Sequence, residues 1–172
     1  MLSLTRHLAR RRVSIGFVCA IGVLYFARPT PQSLALGAVV AVVGEAIRIW
    51  AAGHLEKSRE VTSSGPYRFM RHPLYLGSSI MAAGVAIGCR SLVVATLVLV
   101  YMAATLAAAI RTEEAFLRDR FGDAYDDYAS ARAPHVKRRF SLERVWCNRE
   151  YRSLIGLGLF LLLLALRMVL LR

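Results

Sequence analysis

Residues 154–166 read Leu-Ile-Gly-Leu-Gly-Leu-Phe-Leu-Leu-Leu-Leu-Ala-Leu, thirteen positions without a charged side chain. A helix on the surface of a soluble bundle is apolar along one stripe only, whereas this stretch is apolar on every face and belongs where every face meets hydrocarbon. Extended to Leu171, it has the ~20 residues that a bilayer core requires of a helix. Working back along the chain, Leu92–Ile110 and Leu34–Ala52 meet the same requirement, and two shorter runs, Val13–Phe26 and Leu74–Cys89, reach it with small or interfacial flanks. Gly88-Cys89-Arg90-Ser91 reads as the tight turn of a helical hairpin. The expected fold is an all-α integral membrane protein with about five transmembrane helices, forming a single domain over residues 1–172.

Composition agrees. Of 172 residues 56% are hydrophobic, yet 23 Lys+Arg face 11 Asp+Glu for a net charge of +12. The mean hydropathy is +0.46. A disordered polycation lacks this apolar content, and a soluble nucleic-acid binder lacks the long uncharged runs, so nucleic acid is not an expected partner. The excess charge instead reports topology. With five spans, 18 of the 23 basic residues fall on one side: the arm with Arg6, Arg10, Arg11 and Arg12, the stretch His54–Pro73, and the long stretch Arg111–Ser153. By the positive-inside rule that side is cytoplasmic, together with the N-terminus. The first run, with its basic flank and short apolar core, also has the form of a cleaved signal peptide, which would leave four spans with both loops on the same side. Cysteines 19, 89 and 147 have no metal-ligand spacing and suggest neither a disulfide framework nor a zinc site.

Three places carry potential chemistry. Glu45 and Arg48 lie three residues apart inside the second span, hence on one helical face. An ionisable pair in a membrane helix is expensive, so it is either mutually paired or faces a polar cavity. In Gly65-Pro66-Tyr67-Arg68-Phe69-Met70-Arg71-His72-Pro73-Leu74-Tyr75-Leu76-Gly77, Pro73 suits the first turn of the third span and sets Arg71 and His72 at a helix N-terminus. Free N–H groups and the helix dipole favour an anion there, and Arg71 adds a two-pronged partner for it. The alternative is an ordinary loop-to-helix junction whose basic residues touch lipid headgroups. Finally Glu113-Glu114 sit where the fourth span leaves the membrane, followed by Phe121-Gly122-Asp123-Ala124-Tyr125-Asp126-Asp127-Tyr128. Adjacent carboxylates suit an ammonium or ribose hydroxyls, or else a solvated helix end paired with Arg111, Arg118 and Arg120. Taken together, an anion-binding helix start, two acids and several tyrosines on one membrane face suit a zwitterionic ligand. S-adenosylmethionine is one such ligand among others.

The run from Gly65 to Gly77, followed after one hydrophobic hairpin by Glu113-Glu114 and the Phe121–Tyr128 segment, resembles the isoprenylcysteine carboxyl methyltransferase family and the related membrane phospholipid methyltransferases. The likeness covers about residues 45–134, leaving the basic segment and last span at 135–172 outside it. It implies S-adenosylmethionine as the cofactor, with Arg71, His72, Pro73, Tyr75 and Gly77 shaping its pocket and Glu113 and Glu114 completing it. Glu114 is the stronger candidate for direct contact, and Tyr67, Tyr125 and Tyr128 match with less defined roles. The implied reaction is in-line methyl transfer to a small lipophilic acceptor entering from the bilayer: a prenylcysteine-like carboxylate, a lipid amine, or a phenol or quinol. His72 is the candidate base for an amine or phenol, and Arg48 the candidate for orienting a carboxylate. Rival readings are a membrane adaptor that binds anionic lipid or an acidic partner through Lys137–Arg152, and a small transporter built around Glu45 and Arg48. Membrane lipids are expected contacts in each case. The oligomeric state is open.

Overall fold

The computed structural model describes residues 16, 18–134 and 136–170, which form helices and their connections with no strand among them. The basic arm at Arg6, Arg10, Arg11 and Arg12, the start of the first apolar run and Arg172 lie outside the described residues. Helix α1 is described over residues 18–26, followed by α2 (Pro31–Ala52), a short 3-10 turn (Gly65–Arg68), α3 (Pro73–Cys89), α4 (Leu92–Phe121), α5 (Asp123–Ala129), α6 (Leu142–Cys147) and α7 (Tyr151–Leu170).

Local sequence sets the ends of these helices. Thr30 and Ser33 form a reciprocal capping box ahead of α2, with Pro31 in the first turn, where its missing N–H costs nothing. Pro73 opens α3 in the same way, and Arg90, in the left-handed region at φ 46°, closes it. Ser91 then caps α4 by accepting from the Val94 N–H. At 30 residues α4 is ~45 Å long, well beyond the ~30 Å hydrocarbon core, so its last third projects from the membrane before Gly122 ends it at φ 49°.

Helices α2 and α3 pack closest. A Cβ on Gly37, Gly44, Gly77 or Gly84 would stand 2.4–2.6 Å from atoms of the facing helix, mostly backbone. Gly37 lies opposite Gly84 and Gly44 opposite Gly77, so the helices run antiparallel along a seam of small residues seven apart, two turns each. Such a seam draws its stability from van der Waals contact between backbones, because lipid removes the hydrophobic drive between helices.

The two ends of the bundle differ in chemistry. At one end Val23, Ala27, Cys89, Val94 and Leu164 form a small apolar core. There Arg167 of α7 donates from Nε to the Ala27 carbonyl at 2.9 Å and also reaches the Tyr25 carbonyl, satisfying the exposed C-terminal carbonyls of α1 with a cation. The Arg28 N–H meets the Cys89 carbonyl at 2.8 Å, which ties the α1–α2 and α3–α4 turns together. At the other end gather the C-terminus of α2, the start of α3, the projecting part of α4 and the start of α7.

Large apolar side chains face outward along the helices, among them Leu99, Ile155 and Val169, as an all-α membrane protein requires. Helices α2, α4 and α7 are long and apolar enough to cross a bilayer. At 17 residues α3 is shorter, ~25 Å, and of the first apolar run only residues 16 and 18–26 are described.

Candidate active site

Where α2, α3, α4 and α7 converge at their polar end they enclose an open cavity of about 860 Å³, within the range of small-molecule sites. One wall is the sequence Arg71-His72-Pro73. His72 is the N-cap residue of α3 and makes no side-chain cap, which leaves its imidazole to bond elsewhere. Its Nε2 lies 3.0 Å from Oε1 of Glu114, and Nη1 of Arg71 lies 3.4 Å from the same oxygen. A carboxylate only accepts, so Nε2 carries the hydrogen and Nδ1 is left as the basic atom of the neutral ring. The His72 and Tyr75 rings are 5.7 Å apart.

Three tyrosines form a second wall. The Tyr128 hydroxyl donates to the Tyr67 carbonyl at 2.8 Å, pinning α5 to the 3-10 turn. Burial pushes the Tyr128 phenol up to about 12, and it raises Tyr67 and Tyr125 as well, so all three are neutral donors at neutral pH. Tyr125 is 1% exposed, with the Arg118 guanidinium 5.6 Å from its ring centroid. Its hydroxyl is buried without a hydrogen-bond partner. A lone buried hydroxyl at a cavity is a costly arrangement that a ligand atom would relieve.

A third wall is ionic. Both oxygens of Glu150 accept from Nη2 of Arg48, at 2.7 and 2.6 Å, while Nη1 of Arg48 donates to the Ser78 hydroxyl. The Nε atom of Arg48 is 3.5 Å from Oε2 of Glu45, which also accepts from the Ser153 hydroxyl at 2.7 Å. Glu45 and Glu150 are 3% and 8% exposed at their side chains. Glu150 is held in place by the segment before it, which straps across the loop after α2. The Ser141 N–H and Nε of Arg144 both donate to the Gly53 carbonyl, at 3.1 and 2.8 Å. Asn148 bonds the Ala52 and Leu55 carbonyls, and Arg138 pairs with both oxygens of Glu60 at 2.7 and 3.0 Å.

Of the residues singled out from the sequence, Arg48, Tyr67, Arg71, His72, Pro73, Tyr75 and Glu113 line the cavity. Glu114 does not; it sits behind His72 and Arg71 and orients them, while Glu113, 100° around α4, faces inward. Gly77 is turned to α2, where a Cβ would meet the Gly44 carbonyl and the Arg48 stem at 2.6 Å, so its smallness serves helix packing. Arg48, expected to orient an acceptor carboxylate, already has Nη2 held by Glu150 and Nη1 by Ser78, while its Nε, 3.5 Å from Glu45, has no hydrogen-bond partner. Sequence reasoning missed Glu150, Ser153 and Asn148. The available signal was an acid at the threshold of an apolar span inside a largely basic segment.

Residues 32–124 match the family described as phospholipid methyltransferase. Over 149 residues the chain is 32% identical to the cobalt-zinc-cadmium resistance protein CzcN of Cupriavidus metallidurans, covering 82% of this chain and 68% of that one. Over 111 residues it is 35% identical to the nickel-cobalt-cadmium resistance protein NccN of Alcaligenes xylosoxydans xylosoxydans, covering 63% of this chain but only 50% of the relative. A protein of Oryza sativa subsp. indica named "Probable protein-S-isoprenylcysteine O-methyltransferase" is 35% identical over 107 residues, 55% of this chain and 56% of its own. The chain thus spans between half and about two thirds of the length of these relatives. No solved structure is significantly similar to it.

Proposed function

Since the chain belongs to the phospholipid methyltransferase family, we propose that it is an integral-membrane, S-adenosylmethionine-dependent methyltransferase whose acceptor is a small lipophilic molecule drawn from the bilayer. The observation that carries this reading is the meeting, in one 860 Å³ cavity, of the Arg71-His72-Pro73 helix start and Glu113, from opposite arms of a membrane hairpin that the 3.0 Å His72–Glu114 contact joins behind the cavity wall.

The residues present fit the cofactor. Arg71 offers a site for its carboxylate, Glu113 one for its ammonium or ribose hydroxyls, and the Tyr67, Tyr75 and Tyr125 rings faces for its adenine or its positive sulfur. The unpartnered Tyr125 hydroxyl supplies a hydrogen bond that nothing in the protein uses. When bound, S-adenosylmethionine supplies a methyl group on a sulfonium sulfur.

The chain's own work is then binding, orientation and exclusion of water, which account for on the order of 7–11 kcal/mol in well-positioned reactions. Glu114 fixes the ring of His72 and leaves Nδ1 to take a proton from an amine or phenol; a carboxylate acceptor needs no base. The face bearing the cavity mouth also carries most of the Lys and Arg residues, so the cofactor enters from the cytoplasm and the acceptor from the membrane. The proposal is tested by incubating the purified protein with methyl-labelled cofactor and total membrane lipid. Label recovered in an organic-soluble product supports it, and label absent from every lipid fraction refutes it.

A further inference from the structure

The fit of the cofactor leaves the ionic wall of Arg48, Glu45, Glu150, Ser78 and Ser153 without a part to play, although Arg48, Ser78, Glu150 and Ser153 line the same cavity. Resting on the methyltransferase reading, we infer that Glu150 is a specificity-determining residue that makes this part of the cavity select an acceptor with a hydrogen-bond-donating, non-anionic head group. A bare Arg48 here would be the natural receptor for a carboxylate. Glu150 removes that option by taking Nη2 with both oxygens, at 2.6 and 2.7 Å, while Nη1 donates to Ser78 and Nε, buried and without a hydrogen-bond partner, stands 3.5 Å from the Glu45 carboxylate.

The charge balance points the same way. With Glu45 ionised the cluster of Glu45, Arg48 and Glu150 carries −1, and with Glu45 protonated it carries zero; in neither state does it present a net cation. An incoming carboxylate would give up hydration and meet a carboxylate that is itself 8% exposed, with no net cation in the cluster to compensate. An N–H or O–H group finds acceptors instead, because a carboxylate has about four lone-pair directions and Arg48 occupies two of those on Glu150. Arg149 and Arg152 also border the cavity, but at its exposed rim, where solvent and salt screen them. The C-terminal strap thereby gains a purpose. Its backbone anchors at Gly53, Ala52 and Leu55 deliver Glu150 to Arg48 across about a hundred residues of chain.

The test uses the full chain in nanodiscs and three acceptors: a long-chain alkylamine, a long-chain alkylphenol and N-acetyl-S-farnesylcysteine, whose reactive group is a carboxylate. Cofactor binding is titrated separately, so that its absence condemns the methyltransferase reading and not the selectivity alone. Wild-type protein is expected to methylate the amine or the phenol with kcat/KM at least about tenfold above the carboxylate, the scale of one ion-pair difference. Glu150→Gln frees Arg48 and is expected to shift that ratio about tenfold toward the carboxylate at unchanged cofactor affinity, whereas Arg48→Gln shifts it the other way. If Glu150→Gln does not fold, wild type and Arg48→Gln decide. A wild-type preference for the carboxylate, failure to use either donor acceptor while the cofactor binds, or ratios indifferent to both substitutions would overturn the inference.

Discussion

Gly84→Ala tests the glycine seam that sets α3, and with it His72, against α2. The added Cβ would lie 2.4 Å from the Ala41 nitrogen, 2.6 Å from the Gly37 carbonyl oxygen and 2.8 Å from the Ala41 Cα. All three are backbone atoms and none can rotate away. Ordinary contact lies near ~3.5 Å, so the helices must part locally by about 1 Å. Overpacking of this kind costs about 1–3 kcal/mol, against which the better helix propensity of alanine returns at most ~1 kcal/mol. With backbone on every side the upper part of the range applies, and the net loss is about 2 kcal/mol. For a chain of this length that lowers the Tm by roughly 4–8 °C. The parting also loosens the Arg48–Ser78 contact across the seam, so the cavity should bind its ligand more weakly. Circular dichroism melts in detergent measure the first effect and ligand titration the second. Gly156→Ala and Gly158→Ala on α7, whose added Cβ atoms meet nothing within 4 Å, are matched controls. If Gly84→Ala melts with the controls, the two helices are not held at backbone contact and the reasoning fails.

The walls of the cavity lead to two further expected outcomes. Tyr128→Phe removes the donor to the Tyr67 carbonyl at 2.8 Å and should cost about 1–2 kcal/mol, seen as a lower Tm together with severalfold weaker cofactor binding; a variant indistinguishable from wild type would show that α5 does not brace the 3-10 turn. His54 is 6% exposed beneath the strap, and burial first, then Arg144 and Arg138, hold its imidazole below the ordinary value. The unfolded chain therefore takes up a proton first as pH falls below about 6.5, so the contribution of His54 to stability is complete above that pH and is lost on acidification toward the folded value. Melting temperature should drop between about pH 7 and pH 5 with a shallower slope in His54→Gln, and equal slopes would remove His54 from the explanation.

The membrane fold was legible because its signal is local: Leu154–Leu166 is apolar on every face whatever surrounds it. The hairpin of α3 and α4 was equally plain from Pro73 and the Gly88–Ser91 break. Helix phase was harder to read. Glu113 and Glu114 are chemically alike and adjacent, and only the rotation of α4 against α3 and α5 turns one into the cavity and the other onto His72. Gly77 falls within the motif expected to shape a cofactor pocket, yet its Cβ position points into α2. Glu150 was out of reach for a different reason: its partner Arg48 is 102 residues away, and the strap that joins them is held through backbone carbonyls, which leave no residue signature.

Whether these walls form one cofactor pocket is decided by equilibrium binding of S-adenosylmethionine to the purified protein. Saturable binding by the wild type is expected, weakened about tenfold or more by His72→Ala and by Glu113→Ala, each of which removes about one charged or polar contact. Wild-type protein that melts cooperatively yet shows no saturable binding would mean that the cavity is not a cofactor site.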